Sequence, residues 1–211
     1  MPKGDEFDRS VFVNCPLDED YDRILQAILF CLVRFGLKPR IATERSDAGE
    51  PRISKILDLI QSSRYSIHDL CRCQARDRGE YYRLNMPFEL GLDFGCRRYG
   101  SGLLGEKVIL VLEEQRYRYQ AAISDLAGSD IEAHHGDYQI AVRKVRNWLA
   151  GMPGFEGVGG ARVLADYEEF QRWHIQRQRN RGFSDEDIRD YSTPELLSAM
   201  FDWRELRHEA S

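Results

Sequence analysis

The 211-residue chain has no run of apolar residues long enough to cross a bilayer, which takes about 20 in succession, so no membrane span is expected. Positive charge is not in excess: 30 Lys and Arg stand against 35 Asp and Glu, a formal net charge of −5. That balance argues against general nucleic-acid binding, which asks for a basic surface. No glycine-rich loop follows the first apolar run, so neither a Rossmann dinucleotide turn nor a P-loop is supported. Met1 to Ser10 is polar and acidic, unlike a signal peptide or a basic transit sequence. Paired metal-binding motifs are missing as well. Cys71 and Cys73 lack the second pair that a zinc site needs, and His134 and His135 belong to a different stretch. No metal and no cofactor are expected. Five cysteines, an odd number without framework spacing, fit a reducing cytoplasm. Internal repeats and low-complexity tracts are absent.

What is present is the make-up of a soluble globular chain, 42% hydrophobic and 31% charged, long enough for one core with an addition. Ser10 to Asn14 is a short apolar run that reads as a buried first strand. A helix is predicted from Asp20 to Phe35, with Ile24, Ile28, Cys31, Leu32 and Phe35 at helical spacing and Gly36 closing it. Lys38 to Thr43 is a second strand, and Pro51 opens a helix whose buried stripe is Ile53, Ile56, Leu57 and Ile60. Ser63 to Leu70 is a third strand. The unbroken run Lys107 to Leu112 is of the kind parallel sheets use. A weaker strand at Asp130 to His134 and a helix from Asp137 to Leu149 follow.

Strands alternating with helices predict an α/β fold: three layers, α/β/α, around a mainly parallel five-stranded sheet, flavodoxin-like, with a helical extension at the C-terminal side. The boundaries expected are 8–150 for the α/β domain, 151–160 for a linker of glycine-rich composition and 161–211 for the extension. The extension is too small to hold a core alone, so it packs on the domain or on a second copy, giving a homo-oligomer through its helices.

The stretch Asn85-Met86-Pro87-Phe88-Glu89-Leu90-Gly91 stands out. Asn85 is suited to capping a helix, and Pro87 is tolerated in a first turn. Phe88 and Leu92 make an apolar face, while Gly91 and Gly95 suggest close packing or room for a ligand, since each costs a helix about 1 kcal/mol. Glu89 lies near the positive end of the helix dipole. It is either a nucleophile or a surface side chain on a capped helix. In parallel sheets ligands bind beyond the carboxyl ends of the strands. That rule puts Asn14 to Asp20, Thr43 to Glu50, Asp69 to Leu84 and the Asn85 helix on one rim. Asp93, one turn beyond Glu89, either raises its pKa by repulsion or pairs with Arg97. Glu44, Arg45, Asp47, Glu50 and Arg52 form a solvated turn or a ribose and phosphate site. His68 reads as a strand histidine. Tyr81, Tyr82, Tyr117 and Tyr119 anchor loops or stack on a base.

The order of these parts resembles the Toll/interleukin-1 receptor (TIR) domain, and Phe88-Glu89-Leu90-Gly91 resembles the Glu-Leu-Gly step of nucleoside 2-deoxyribosyltransferases. The likeness spans roughly Ser10 to Leu149. It implies cleavage or transfer of an N-glycosidic bond, with Glu89 catalytic and the substrate a nucleoside, a nucleotide or NAD. It further implies Asp69 as the second catalytic carboxylate, although a loop-capping role is equally open. Asn14, Asp18, Asp47, Glu50, Arg52, Asn85 and Asp93 are the expected substrate-binding residues. A part in bacterial stress or phage defence is implied too. Met86-Pro87-Phe88 departs from the Trp-Cys that TIR enzymes often carry before their glutamate. The rival reading is a nucleotide-binding sensor or a scaffold with the same fold.

Overall fold

The computed structural model describes residues 4–209 except 46, 73, 76, 77, 80–82 and 156. Five strands, β1 (Ser10–Asn14), β2 (Lys38–Arg40), β3 (Tyr65–Asp69), β4 (Val108–Glu113) and β5 (Ile131–Ala133), form one sheet in the order β2-β1-β3-β4-β5. Every pairing is parallel, and the register sets Asn14 beside His68 and His68 beside Val111. Parallel neighbours need crossovers, and helices supply them. The architecture is the expected three-layer, flavodoxin-like α/β/α fold with C-terminal helices added. None of the described helices is long and apolar enough to cross a membrane.

Strand alternation sends successive side chains to opposite faces. Val11, Val13, Ile67, Leu110 and Leu112 face the larger core. There they meet α2 (Glu19–Arg34) and α5 (Tyr138–Ala150), the latter capped by Asp137, whose side chain accepts from Gln139 N at 2.7 Å. Phe12 points the other way, onto Ile56, Leu59 and Ile60 of α3 (Arg52–Gln61). Beside it Val111 meets Met86 and Leu90 of α4 (Asn85–Tyr99). Each fully buried Leu or Ile contributes roughly 1.5–3 kcal/mol relative to exposure, so these two faces account for the order of the layers.

The C-terminal helices α6 (Gly160–Asn180), α7 (Asp185–Arg189) and α8 (Thr193–Glu209) form no separate core. Phe30 of α2 has Phe170 and Trp203 within 5.3 Å and Tyr167 within 5.4 Å, ring centre to ring centre. Val163, Leu196 and Met200 belong to the same apolar cluster as the sheet. Of the two expected arrangements, packing on the domain is the one observed.

Local expectations fail where a long-range contact or a side-chain tie overrides the pattern. A short helix, α1 (Gly4–Arg9), precedes β1; with Phe7 as its one buried side chain it carries no apolar repeat in the sequence. The second strand stops at Arg40 instead of Thr43. Arg40 Nη2 meets Glu44 Oε1 at 2.7 Å, folding Ala42–Glu44 into a single tight turn. In α3 Leu59 replaces Ile53 and Leu57 in the buried stripe, and these two are 44% and 38% exposed. Asn85 does not cap α4: it is the first helical residue, the preceding Leu84 is already in helical conformation, and no side chain caps the end. Phe88 is 58% exposed, so the apolar face is Met86 and Leu90. A Cβ on Gly91 or Gly95 meets no atom within 4 Å, which excludes close packing as the reason for either glycine.

Candidate functional site

In the strand order observed, the chain reverses direction of travel between β1 and β3, and a doubly wound sheet opens its ligand crevice at that point. Asn14 ends β1 and Asp69 ends β3, so both stand at the mouth of the crevice. Cys15 follows Asn14 and is buried. Its thiol is pushed well above the ordinary value, by burial first and then by the fields of Asp69, Asp18 and Glu89. Three of the acidic residues expected at the site thus surround one side chain.

Glu89 is held there by α4. Asn14 Nδ2 donates to Met86 O at 3.0 Å, fixing the first turn of the helix to the end of β1. Glu89 lies three residues further on, and its side chain is 6% exposed. Burial raises its pKa above the ordinary carboxylate value, and the partial opposition comes from Arg52. Arg52 Nη2 approaches Glu89 Oε1 at 3.5 Å from a side chain that is 59% exposed. The carboxylate is neither an outer-surface group nor locked in a buried ion pair. Asp93 takes no part in raising it.

Asp69 is fully buried and fully engaged. Tyr21 OH donates to its Oδ2 at 2.5 Å, and the Cys71 backbone N–H donates to Oδ1 at 2.9 Å. His134 Nε2 lies 3.0 Å from Oδ2, a close buried contact with the carboxylate. Burial raises the Asp69 pKa, and His134, Tyr21 and the Cys71 amide outweigh it, so the group ends below the ordinary range. Asp69, Cys71 and His134 each bring one possible metal-ligand atom within 4.8 Å of the others. One feature opposes a metal there. Gly136 N donates to His134 Nδ1 at 3.0 Å, which leaves the ring proton on Nε2. The Cys71 thiol is driven far up by burial and by Asp69.

Asp18 sits on the same rim, clamped by Arg72 through Nε at 3.2 Å and Nη2 at 2.8 Å, with Arg83 at 3.5 Å. The Arg72 hydrogen bonds bring its pKa below the ordinary value. The remaining expected residues fall elsewhere. Asp47 Oδ1 accepts from Gly49 N at 2.8 Å and so closes its own turn. Glu50 pairs with Arg45 at 3.1 Å, and Arg45 also reaches Asp58. Asp47 is exposed, and Glu50 is half-buried in its pair with Arg45. Asn85 is exposed on the first turn of α4.

Asp93 is not on the rim at all. It is buried beneath α4, with His68 Nε2 at 2.9 Å from Oδ2 and Lys107 Nζ at 3.3 Å from Oδ1. Its charged partners are His68 and Lys107 rather than Arg97. Asn14 Nδ2 also bonds His68 Nδ1 at 2.9 Å, so the imidazole accepts on Nδ1 and donates through Nε2 to Asp93. His68 is a relay between the sheet end and the helix rather than a lone strand histidine.

Tyr21, His134 and Arg72 carry as much of the site as the residues expected from sequence. Each comes from a different element, and only Arg72, in a charged loop after a strand, carried any local signal. Tyr119 is buried under the β4 side of α4, and Tyr117 is exposed; Tyr81, Tyr82 and Cys73 lie outside the described residues. No protein-family model, curated protein or solved structure matches the chain.

Proposed function

We propose that this protein cleaves or transfers the N-glycosidic bond of a nucleoside, a nucleotide or NAD, with Glu89 facing the anomeric carbon. One observation carries the reading: a buried carboxylate at the head of α4, beside the β1/β3 crevice, answered only by an arginine that is itself largely in solvent. As the base departs with the electron pair of the C–N bond, positive charge develops at C1′. An ionised carboxylate stabilises that charge or traps it as a glycosyl ester, which water or a second acceptor then opens. Loss of nicotinamide from NAD needs no proton, because the cationic ring nitrogen becomes neutral on leaving. A neutral purine needs one, which an acid other than Glu89 must supply.

Asp69, held in one orientation by Tyr21 and the Cys71 amide, orders the end of β3 beside the crevice. Arg52 swings between Glu89 and a substrate phosphate, and Asp18 with Arg72 borders the crevice. Asn14 acts by fixing the height of α4.

The test is incubation with NAD and a panel of nucleosides and nucleotides, with chromatography for free base. Base release is expected from the wild type and lost in Glu89→Gln; release that survives the substitution refutes the assignment. Tight nucleotide binding without release supports the second reading, a nucleotide sensor. The apolar side chains through which the tail would assemble copies are largely committed to the protein's own core, and mass in solution tests that part of the expectation.

A further inference from the structure

At the end of α2 far from Asp18, the helices α2, α6 and α8 enclose a cavity of about 90 Å³. Arg34, the last residue of α2, lines it, with Arg162 from the first turn of α6 and Arg204 and Arg207 from α8. Asp166 is the one carboxylate among the described lining residues, and it is already shared by Arg34 Nε at 2.9 Å and Arg162 Nε at 2.8 Å. Arg207 has Glu169 as its partner and lies over the Trp203 ring, 5.0 Å from its centre. Arg204 differs from its neighbours. Its Nε is buried with no acceptor, and its guanidinium lies against Gly36, where an added Cβ would come within 3.0 Å of Nη2.

The C-terminus of α2 does not account for this. Its carbonyls at Cys31, Leu32 and Val33 already accept from the N–H groups of Phe35, Gly36 and Leu37. Four guanidinium groups thus face one small cavity with a single shared carboxylate, in a chain whose formal net charge is −5. A buried guanidinium N–H without an acceptor is costly, and an anion removes the cost. Planar guanidinium forks match phosphate oxygens two at a time. Size restricts the ligand further. Pockets for organic ligands run to roughly 300–1,000 Å³ and a water takes about 30 Å³, so the cavity holds a tetrahedral ion and no nucleoside.

We infer that this cavity is an oxyanion site that takes one phosphate group, either as inorganic phosphate or as the end of an ester whose remainder stays outside. It lies away from the Glu89 crevice and does not depend on the glycosidic reading.

The full chain is titrated with inorganic phosphate, and in a second arm with AMP, against chloride at matched ionic strength. Phosphorus NMR line width and the fluorescence change from Trp203 report binding. Saturable phosphate binding is expected, weakened at least tenfold by Arg204→Met, less by Arg204→Lys, and unchanged by Glu89→Gln. AMP competing for the same site with the same sensitivity to Arg204 identifies the ester as a ligand; phosphate binding alone identifies the free ion. Arg162→Met, in a side chain 62% exposed, leaves the fold intact and is expected to weaken binding several-fold. Absence of saturable phosphate binding, or equal affinity in wild type, Arg204→Met and Arg162→Met, overturns the inference.

Discussion

Glu89 and Arg52 meet at 3.5 Å across a steep change in surroundings, a carboxylate 6% exposed facing a guanidinium 59% exposed. Because burial raises the folded-state pKa of Glu89, ionising it works against folding. The stabilising difference is present below the ordinary glutamate pKa, about 4.3, and is lost as pH rises through the raised folded value. Glu89→Gln is therefore expected to raise the melting temperature near pH 7 by about 2–4 °C, the shift that about 1 kcal/mol gives in a chain of this size. Near pH 4 the two proteins should melt together. Calorimetry at both pH values decides it, and a Gln variant less stable at pH 7 would count against a strained carboxylate.

Asp69 carries the opposite sign. Burial raises its pKa, but His134, Tyr21 and the Cys71 amide bring it below the ordinary carboxylate value. Its charge stabilises the fold above about pH 3.9, and that stability is lost as pH falls through the lowered folded value. In urea titrations between pH 2 and 6, Asp69→Asn is expected to flatten the acid limb of the stability curve. Tyr21→Phe is expected to move the limb to higher pH, since it removes one of the donors to the carboxylate.

Lys107 is 1% exposed, donates to the carbonyls of Ile60 and Ser63, and faces Asp93. Removing one partner from a buried pair leaves an uncompensated charge, so Lys107→Met is expected to cost about 3–5 kcal/mol in urea unfolding. Adding Asp93→Asn to that variant should restore part of the loss. A double variant as unstable as the sum of the two singles would show that the groups do not interact.

Trp203 packs on Phe30 and Phe170, at 5.3 and 6.3 Å between ring centres. Trp203→Ala is expected to cost about 3–5 kcal/mol, in a single unfolding transition followed by both circular dichroism and fluorescence. Separate transitions for the sheet and the tail would contradict the shared core.

The sheet was legible because its signals are local: β4 is an unbroken apolar run, and α2 repeats its apolar residues at helical spacing. Glu89 was legible for the same reason, standing early in a recognisable helix. Asp93 was not. Its spacing from Glu89 suggested a shared surface, whereas His68 and Lys107, from two other parts of the chain, draw it inward. Tyr21 and His134 lie 48 and 65 positions from Asp69, and no periodicity in one dimension reports that kind of meeting. Asn85 shows the limit of local chemistry too: a good capping residue does not cap when the residue before it is already in helical conformation.

The amide of Asn14 grips the start of α4 through Met86 and the third strand through His68. Everything between Asp69 and Leu84 is thereby bypassed as a determinant of where the glutamate stands. Insertions, deletions or new side chains in that span would redecorate the entrance while Glu89 kept its height above the sheet.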